Sequence, residues 1–240
     1  VAENSELSTV IYAIEASDVD VDTILTYRLS GKDASLLNID SETGEVTLKS
    51  SANYEAKSSY SFNVIASDRS LTATKTVVVS VSNVNEAPTI TSIATGTVKE
   101  NALTSTVIYK TIASDVDKGS VLKYSLSGTD ASLLNINSKT GVVKLKTSAN
   151  YEDKDSYNFS VTVNDGTLSS SKDIMVDVTN VNEAPKITSS SNEIIEEYTN
   201  LTTVIYKTIA SDVDADTTLK YSLSGKDVAL LNIDSTTGEV

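Results

Sequence analysis

The sequence predicts an all-β chain of tandem Greek-key β-sandwich modules, seven strands each, repeating every 97 residues. Three observations carry that prediction. Asn83-Val84-Asn85-Glu86-Ala87-Pro88 returns unchanged as Asn180-Val181-Asn182-Glu183-Ala184-Pro185, 97 residues later. Short runs alternate apolar with polar residues: Tyr157, Phe159, Val161 and Val163 fall on one face, and Asn158, Ser160 and Thr162 on the other. Helical periodicity holds over no useful length, while turn signals separate the runs.

The register is strict. Val1-Ala2-Glu3-Asn4 matches Val98-Lys99-Glu100-Asn101, and Ala16-Ser17-Asp18-Val19-Asp20 recurs at Ala113 to Asp117 and at Ala210 to Asp214. A fixed period of 97 residues indicates an array of domains, each large enough to close its own core. The expected modules are residues 1–87 (its first residues missing), 88–184 (complete) and 185–240 (partial). Both chain ends fall inside predicted strands, as in a slice of a longer chain. Half a sandwich leaves strands without partners, so residues 185–240 are the weakest part of this expectation.

The complete module gives the elements in order. Thr89–Ser92 opens it as a short strand. Thr106–Ala113, rich in β-branched residues, is the second. Asp115-Val116-Asp117-Lys118-Gly119 turns the chain, and Leu122–Leu126 alternates as a half-buried strand. Gly128 stops it, and Asp130–Leu134 is expected to make one helical turn. Leu134–Ile136 and Val142–Leu145 are strands around the Ser138–Gly141 turn. The Asn150-Tyr151-Glu152 loop leads into the strand of Tyr157 to Val163. Asp165-Gly166 turns into the last strand, where Ile174, Val176 and Val178 face one way. Repeat 1 follows the same course, with Tyr60, Phe62, Val64 and Ala66, then Val77, Val79 and Val81, on its core faces.

Composition removes several functions. The net charge of −14 repels a nucleic-acid backbone. Cysteine is absent, so neither disulfides nor thiolate chemistry contributes. No apolar run is long enough to insert in a membrane, and no signal peptide is visible. Histidine is absent too, and no serine-centred nucleophile motif appears. The acidic residues repeat with the module ends instead of forming a cleft, which argues against an enzyme.

Those acidic residues are the candidate site. Glu3 or Glu100 stands where the first strand pair begins. Asp18 and Asp20, or Asp115 and Asp117, follow the second strand. Glu55 or Glu152 lies before the late core strand, Asp68 or Asp165 ends it, and Glu86 or Glu183 sits in the joint. Counting strands up and down places Glu100, Glu152 and Glu183 at the trailing pole of repeat 2, and Asp115, Asp117 and Asp165 at its leading pole. The first joint would then gather Glu3, Glu55, Glu86, Asp115, Asp117 and Asp165. Crowded carboxylates repel unless a cation lies among them. Oxygen ligands without His or Cys select a hard ion, foremost Ca²⁺. Six charges there would balance three such ions. The competing reading is that Asp and Asn merely form turns; the register across copies favours ligands.

Taken together, these motifs resemble the cadherin repeat, a cadherin/immunoglobulin-like sandwich, in the form found in very large bacterial surface adhesins. Glu3-Asn4 and Glu100-Asn101 resemble the family's opening Glu-Asn. Asn53-Tyr54-Glu55 and Asn150-Tyr151-Glu152 resemble its Leu-Asp-Arg-Glu loop. Asp115-Val116-Asp117 and Asp212-Val213-Asp214 resemble its Asp-x-Asp, and Asp68 and Asp165 its late Asp. Asn83, Asn85 and Glu86, with Asn180, Asn182 and Glu183, take linker positions. The resemblance implies Ca²⁺ between modules. Asn replaces Asp at 53, 150, 83 and 180, and Tyr198 stands where Asn4 and Asn101 stood, so the expectation is two or three ions per joint.

The function expected is a calcium-stiffened, extracellular, cell-surface spacer in an adhesin whose parent chain is membrane-anchored. Its partners would be calcium and the neighbouring repeats, with like chains or a cell-surface ligand beyond them. The alternatives are a self-associating fibre or sheath module, and a direct homophilic or sugar-binding module.

Overall fold

Residues that alternate in the sequence alternate in burial over 156–164 and 169–179, whereas in repeat 1 Val64 and Ile65 are both buried and Ala66, expected on the core face, is only half-buried. The computed structural model describes residues 1–20, 22–215 and 217–240. Its strands are β1 (Val10–Ala13), β2 (Thr26–Ser30), β3 (Leu37–Ile39), β4 (Glu45–Leu48), β5 (Ser59–Ser67), β6 (Thr72–Ser80) and β7 (Thr89–Ile90). They continue as β8 (Thr95–Lys99), β9 (Tyr109–Lys110), β10 (Ala113–Ser114), β11 (Lys123–Ser127), β12 (Leu134–Ile136), β13 (Val142–Leu145), β14 (Ser156–Asn164) and β15 (Ser169–Thr179). Two short strands, β16 (Lys186–Ile187) and β17 (Ala210–Ser211), follow. The expected helical turns are single 3₁₀ turns at Ala34–Leu36 and Ala131–Leu133, with a third at Val228–Leu230.

The chain forms two compact units. The first holds Val1–Ile90, Ala113–Lys123 and Val163–Ser170; the second holds Thr91–Ile112, Tyr124–Thr162 and Ser171–Val240. In the first, sheet β2-β5-β6 faces sheet β1-β4-β3. Phe62, Tyr60, Val64 and Val77 from one meet Leu37, Val46 and Leu48 from the other. Tyr12 meets Phe62 edge to face, ring centroids 6.2 Å apart, a favoured aromatic arrangement. In the second unit the sheets are β11-β14-β15-β8 and β12-β13-β9. The counterpart pair Tyr109 and Phe159 repeats the edge-to-face contact at 6.1 Å. Apolar side chains at every second position bury themselves on the inner face of each sheet, which is what alternation in a sandwich requires.

One predicted strand is shorter than expected and another is split. The expected Thr89–Ser92 strand forms only as β7, antiparallel to β10. An additional strand, β8, runs parallel to β15 from Thr95↔Met175 to Lys99↔Thr179. It was not foreseen, because its parallel partner lies about 80 residues away and nothing local marks it. Gly96 lies inside it. A Cβ there would meet the Ile108 carbonyl oxygen at 2.9 Å, so close backbone approach demands glycine. The expected Thr106–Ala113 strand appears as β9 and β10, its partner changing from β13 to β7. Gly141, at φ +67°, makes the turn before β13.

In residues 185–240 the described residues form the β16–β17 pair and an isolated bridge, Lys207↔Glu239. These stand 97 residues after β7 and β10. The sheet built on β14 and β15 has no counterpart there, since this sequence carries no third copy of those two strands, and the described residues 192–196 and 220–224, at the positions of β8 and β11, form no strand. Among the described residues no helix is long and apolar enough to cross a membrane.

Candidate metal centres at the joints

Each centre begins with a glutamate that the backbone turns inward. Glu3 is 2% exposed, and Asn4 next to it takes a left-handed φ of 56°; Asn is one of the few side chains that tolerates that region. Glu3 Oε2 accepts the Tyr54 N–H at 2.7 Å, and Oε1 accepts the Val84 N–H at 2.8 Å. One carboxylate thus ties the strand start, the Asn53-Tyr54-Glu55 loop and the linker together. Asn4 Nδ2 donates to Glu86 Oε1 at 2.6 Å. In the second unit Glu100 accepts from Tyr151 and Val181, and Asn101, at φ 58°, donates to Glu183.

The glutamates converge as the strand count predicts. Carboxylate oxygens of Glu3, Glu55 and Glu86 lie within 4.8 Å of one another, as do those of Glu100, Glu152 and Glu183. Asp117 joins the first group through the linker: Oδ2 accepts the Glu86 N–H at 2.9 Å, and Oδ1 accepts from Asn83 Nδ2 at 2.7 Å. Asp214 Oδ2 does the same for the Glu183 N–H at 2.8 Å. Asp165 is held to the linker by Asn85 Nδ2 at 2.8 Å.

Other expected ligands are placed less centrally. Asp18, Asp115 and Asp212 each use Oδ1 to accept the N–H of the second aspartate, Asp20, Asp117 and Asp214, at 2.9, 2.9 and 3.0 Å. The turn-forming role is therefore real for the first aspartate of each pair. Asn53 Oδ1 accepts the Ala56 N–H, and Asn150 Oδ1 the Glu152 N–H, so both shape their own loop. Asn180 Nδ2 donates to Glu152 Oε1 at 3.3 Å, and Asn182 Nδ2 to the Glu183 carbonyl. Asp68 accepts the N–H groups of Ser70 and Leu71. Among the described residues, Asp18, Asp20 and Asp68 join no group of three converging acidic side chains.

The electrostatics separate two kinds of carboxylate. The Tyr54 and Val84 N–H groups hold Glu3 below its ordinary range. The Asn85 amide, with the Thr167 and Leu168 N–H groups, holds Asp165 far below the usual carboxylate range. Glu86 moves the other way. Burial raises it, and the charges of Glu3, Asp117 and Glu55 outweigh the Asn4 hydrogen bond. Glu152 is also raised: its own N–H pulls it down, but desolvation and the Glu100, Glu183 and Asp214 charges win.

Buried carboxylate oxygens without partners sit in the same places, while Thr111 Oγ1, also buried and unpartnered, lies beside Gly141 instead. Glu55 Oε2, Glu86 Oε2 and Asp115 Oδ2 at the first joint, and Glu183 Oε2 at the second, are buried and accept no hydrogen bond. Buried polar atoms in folded proteins are nearly always bonded, and a bare carboxylate oxygen is a costly exception. An oxygen-only donor set of this charge fits a hard divalent cation.

Sequence reasoning missed the residues that hold the Glu55 loop. Lys57 pairs with the buried Asp33 at 2.8 Å, and Asp33 also accepts the Ser61 N–H at 2.7 Å. Lys154 and Asp130 repeat this at 2.9 Å, with Asn158 N–H at 2.7 Å. The shared offset of these pairs was visible in the sequence, as was that of Asn4 and Asn101; what each side chain touches was not.

The Cadherin domain profile matches residues 1–82 and 94–181. Human Protocadherin Fat 1 is 28% identical over 259 aligned residues, which is 100% of this chain and 6% of that protein. The crystal structure of mouse Cadherin-23 EC22-24 superposes with a TM-score of 0.71 at 23% identity, covering 100% of this chain and 82% of that one. The Protocadherin gammaB7 EC3-6 cis-dimer structure gives 0.67 at 23% identity, covering 100% and 65%. The chain thus spans a small part of the long curated relative it matches, and the structural likeness speaks for the fold. On the strength of the profile, which takes in most of repeats 1 and 2, the chain belongs to the cadherin domain family.

Proposed function

We propose that this chain is an extracellular run of cadherin modules, divided at 1–87, 88–184 and 185–240, whose joints are stiffened by Ca²⁺. The observation that carries this is the set of buried, unbonded carboxylate oxygens on Glu55, Glu86, Asp115 and Glu183 at the joints. Bound Ca²⁺ would supply the positive charge that these oxygens lack. Glu3, Glu55, Glu86, Asp115, Asp117 and Asp165 would hold it at the first joint, and Glu100, Glu152, Glu183, Asp212 and Asp214 at the second. Asn53, Asn83, Asn85, Asn150, Asn180 and Asn182 orient those carboxylates or offer neutral oxygens. Two or three ions per joint suit this charge. Asp18, Asp20 and Asp68 would serve an equivalent joint preceding repeat 1.

The linker makes the joint rigid in this reading. Glu86 presents its N–H to Asp117 of the following repeat and its side chain to Asn4 and Glu3 of its own. A cation shared by these groups ties both sides to one point. Without it, like charges push them apart and the joint loosens. Extracellular calcium modules bind at about 10⁻⁴–10⁻³ M, so filling would follow passage out of the cell. The near-identical copies, with no aromatic platform among polar faces, favour a spacer over a dedicated binding module. We propose, on the motif resemblance of these repeats, that the spacer belongs to a large, membrane-anchored surface adhesin of the bacterial kind; human Protocadherin Fat 1 and mouse Cadherin-23 are animal proteins. Self-association into a fibre is the alternative, and sedimentation in Ca²⁺ distinguishes it.

Thermal unfolding of the whole chain in Ca²⁺, in Mg²⁺ and in chelator tests the proposal. A ligand that binds only the folded state raises the melting temperature. A Ca²⁺-specific rise is expected, together with a larger radius of gyration by small-angle scattering. Identical melting and scattering in millimolar Ca²⁺ and in chelator would overturn it.

A further inference from the structure

The two joints are built from near-identical residues, yet the open cleft beside each glutamate triad differs in charge. At the first joint a cleft of about 520 Å³ is lined by Tyr54, Glu55, Ala56, Ser58, Asn83 and Lys118. At the second a cleft of about 670 Å³ includes Tyr151, Glu152, Asp153, Lys154, Asp155, Asn180 and Ala215 in its lining. Three aligned positions change, all in one direction: Ala56 becomes Asp153, Ser58 becomes Asp155, and Lys118 becomes Ala215. The lysine of the clasp is common to both, as Lys57 and Lys154. The second cleft is therefore more negative than the first by three charges at aligned positions, in a chain whose repeats otherwise keep strict register. Among the described residues neither added aspartate is paired with a cation of the protein: Asp153 accepts from Asn150 Nδ2, and Asp155 from Ser156 Oγ.

We propose that these three positions grade the joints, drawing divalent cations more strongly to the second cleft and holding the first in reserve. The inference rests on the calcium reading of the joints and specifies how their occupancy is ordered. The charges act over distance, not as extra ligands. Focused negative potential raises local cation concentration, and Lys118 opposes entry at the first joint as a tethered cation. As Ca²⁺ rises, stiffening would proceed joint by joint along the array. Residues 56, 58 and 118, and their counterparts, would be the tuning positions.

Terbium luminescence tests this in the full chain, which contains no tryptophan. Tyr54 and Tyr151 line the two clefts and, of the eleven tyrosines, are the two expected to sensitise a lanthanide bound there. Tyr151→Phe leaves the first joint reporting, and Tyr54→Phe the second. Ca²⁺ competition then gives the affinity of each joint. Exposed charges contribute modestly, so Asp153→Ala, Asp155→Ser and Ala215→Lys together are expected to weaken the second joint by about threefold to tenfold at ~0.1 M salt. Ala56→Asp, Ser58→Asp and Lys118→Ala together should strengthen the first by a similar factor. At ~1 M salt, where screening acts within about 3 Å, both effects should fall below about twofold. Competition at both joints that neither exchange moves at low salt overturns the grading and leaves the calcium reading intact. An exchange effect that persists at high salt overturns the grading as well. Absence of terbium and Ca²⁺ binding in the unexchanged chain overturns both. The two exchanges run in opposite senses, so a folding defect in one, seen as a lowered melting temperature in chelator, leaves the other decisive.

Discussion

Asp33 and Glu86 are both carboxylates drawn into the folded chain, and the fold treats them oppositely. Asp33, 5% exposed, is fully engaged: Lys57 and the Ser61 N–H bind its two oxygens, and both hold it below its ordinary range. Glu86 keeps one oxygen buried and bare, faces Glu3, Glu55 and Asp117, and is raised by burial and by their charge. The first arrangement stabilises the sandwich whatever the medium contains. The second is held in place by the rest of the module and, in the calcium reading proposed above, would be completed by a bound cation. The body of each module should therefore be indifferent to Ca²⁺, and the joints should not.

The strongest way to break that division is a body mutation that turns out to be calcium-sensitive. Phe62 is 1% exposed and packs against Tyr12 and both sheets of the first unit. Phe62→Ala is expected to cost about 3–5 kcal/mol, with the loss equal in Ca²⁺ and in chelator by denaturant titration. Unequal losses would mean that core and joint are one cooperative element. Lys57→Met comes next. It leaves Asp33 with one fewer charge-assisted partner at a site where the lysine is partly exposed, so about 1–2 kcal/mol is expected. Lys57 lies two residues beyond Glu55 in the same loop, its N–H bonded to the Asn53 carbonyl at 2.9 Å. The same variant therefore asks whether the clasp also positions the loop, which a weakened calcium response would reveal.

How much of this the sequence disclosed also divides along the same line. Tyr157, Phe159, Val161 and Val163 declared their buried face, because a strand's two-residue period is printed in local order. Convergence of Glu3, Glu55 and Glu86 followed from strand counting plus the register, both one-dimensional facts. The Thr95–Lys99 strand stayed hidden, since its pattern is short, contains Gly96 and makes sense only beside Met175–Thr179. Asn4 was seen as part of a motif, but not as the donor that bonds Glu86 across 82 positions. The division of labour within Asp115-Val116-Asp117, one aspartate turning the chain and the other reaching the linker, needed coordinates as well.

Joint variants sharpen the comparison from the other side, with smaller effects. Asp117→Asn removes one charge that faces Glu86 but preserves the side-chain shape. In chelator its melting temperature should hardly move, while the calcium-induced rise, about 1 kcal/mol for a millimolar site filled severalfold over Kd, should shrink or vanish. A full response in this variant would remove Asp117 from the cation site.

Glu86→Gln carries the smallest shift and the most informative sign. The folded value of Glu86 lies above its unfolded value. Its contribution to the metal-free chain is therefore fully present below the unfolded carboxylate range and is lost as pH rises through the raised folded value. Asp33 is depressed, so its contribution is present above the unfolded range and is lost as pH falls through the depressed value. At neutral pH in chelator Glu86 is thus a liability, and glutamine, which keeps the size without the charge, should raise the melting temperature by about 1–3 °C. In Ca²⁺ the order should invert, because the wild-type chain gains a ligand and the variant does not. Crossing of the two curves between chelator and Ca²⁺ is the result expected of a group held for a cation. A variant less stable than wild type in both media would instead assign Glu86 to the fold, alongside Asp33, and erase the distinction between body and joint.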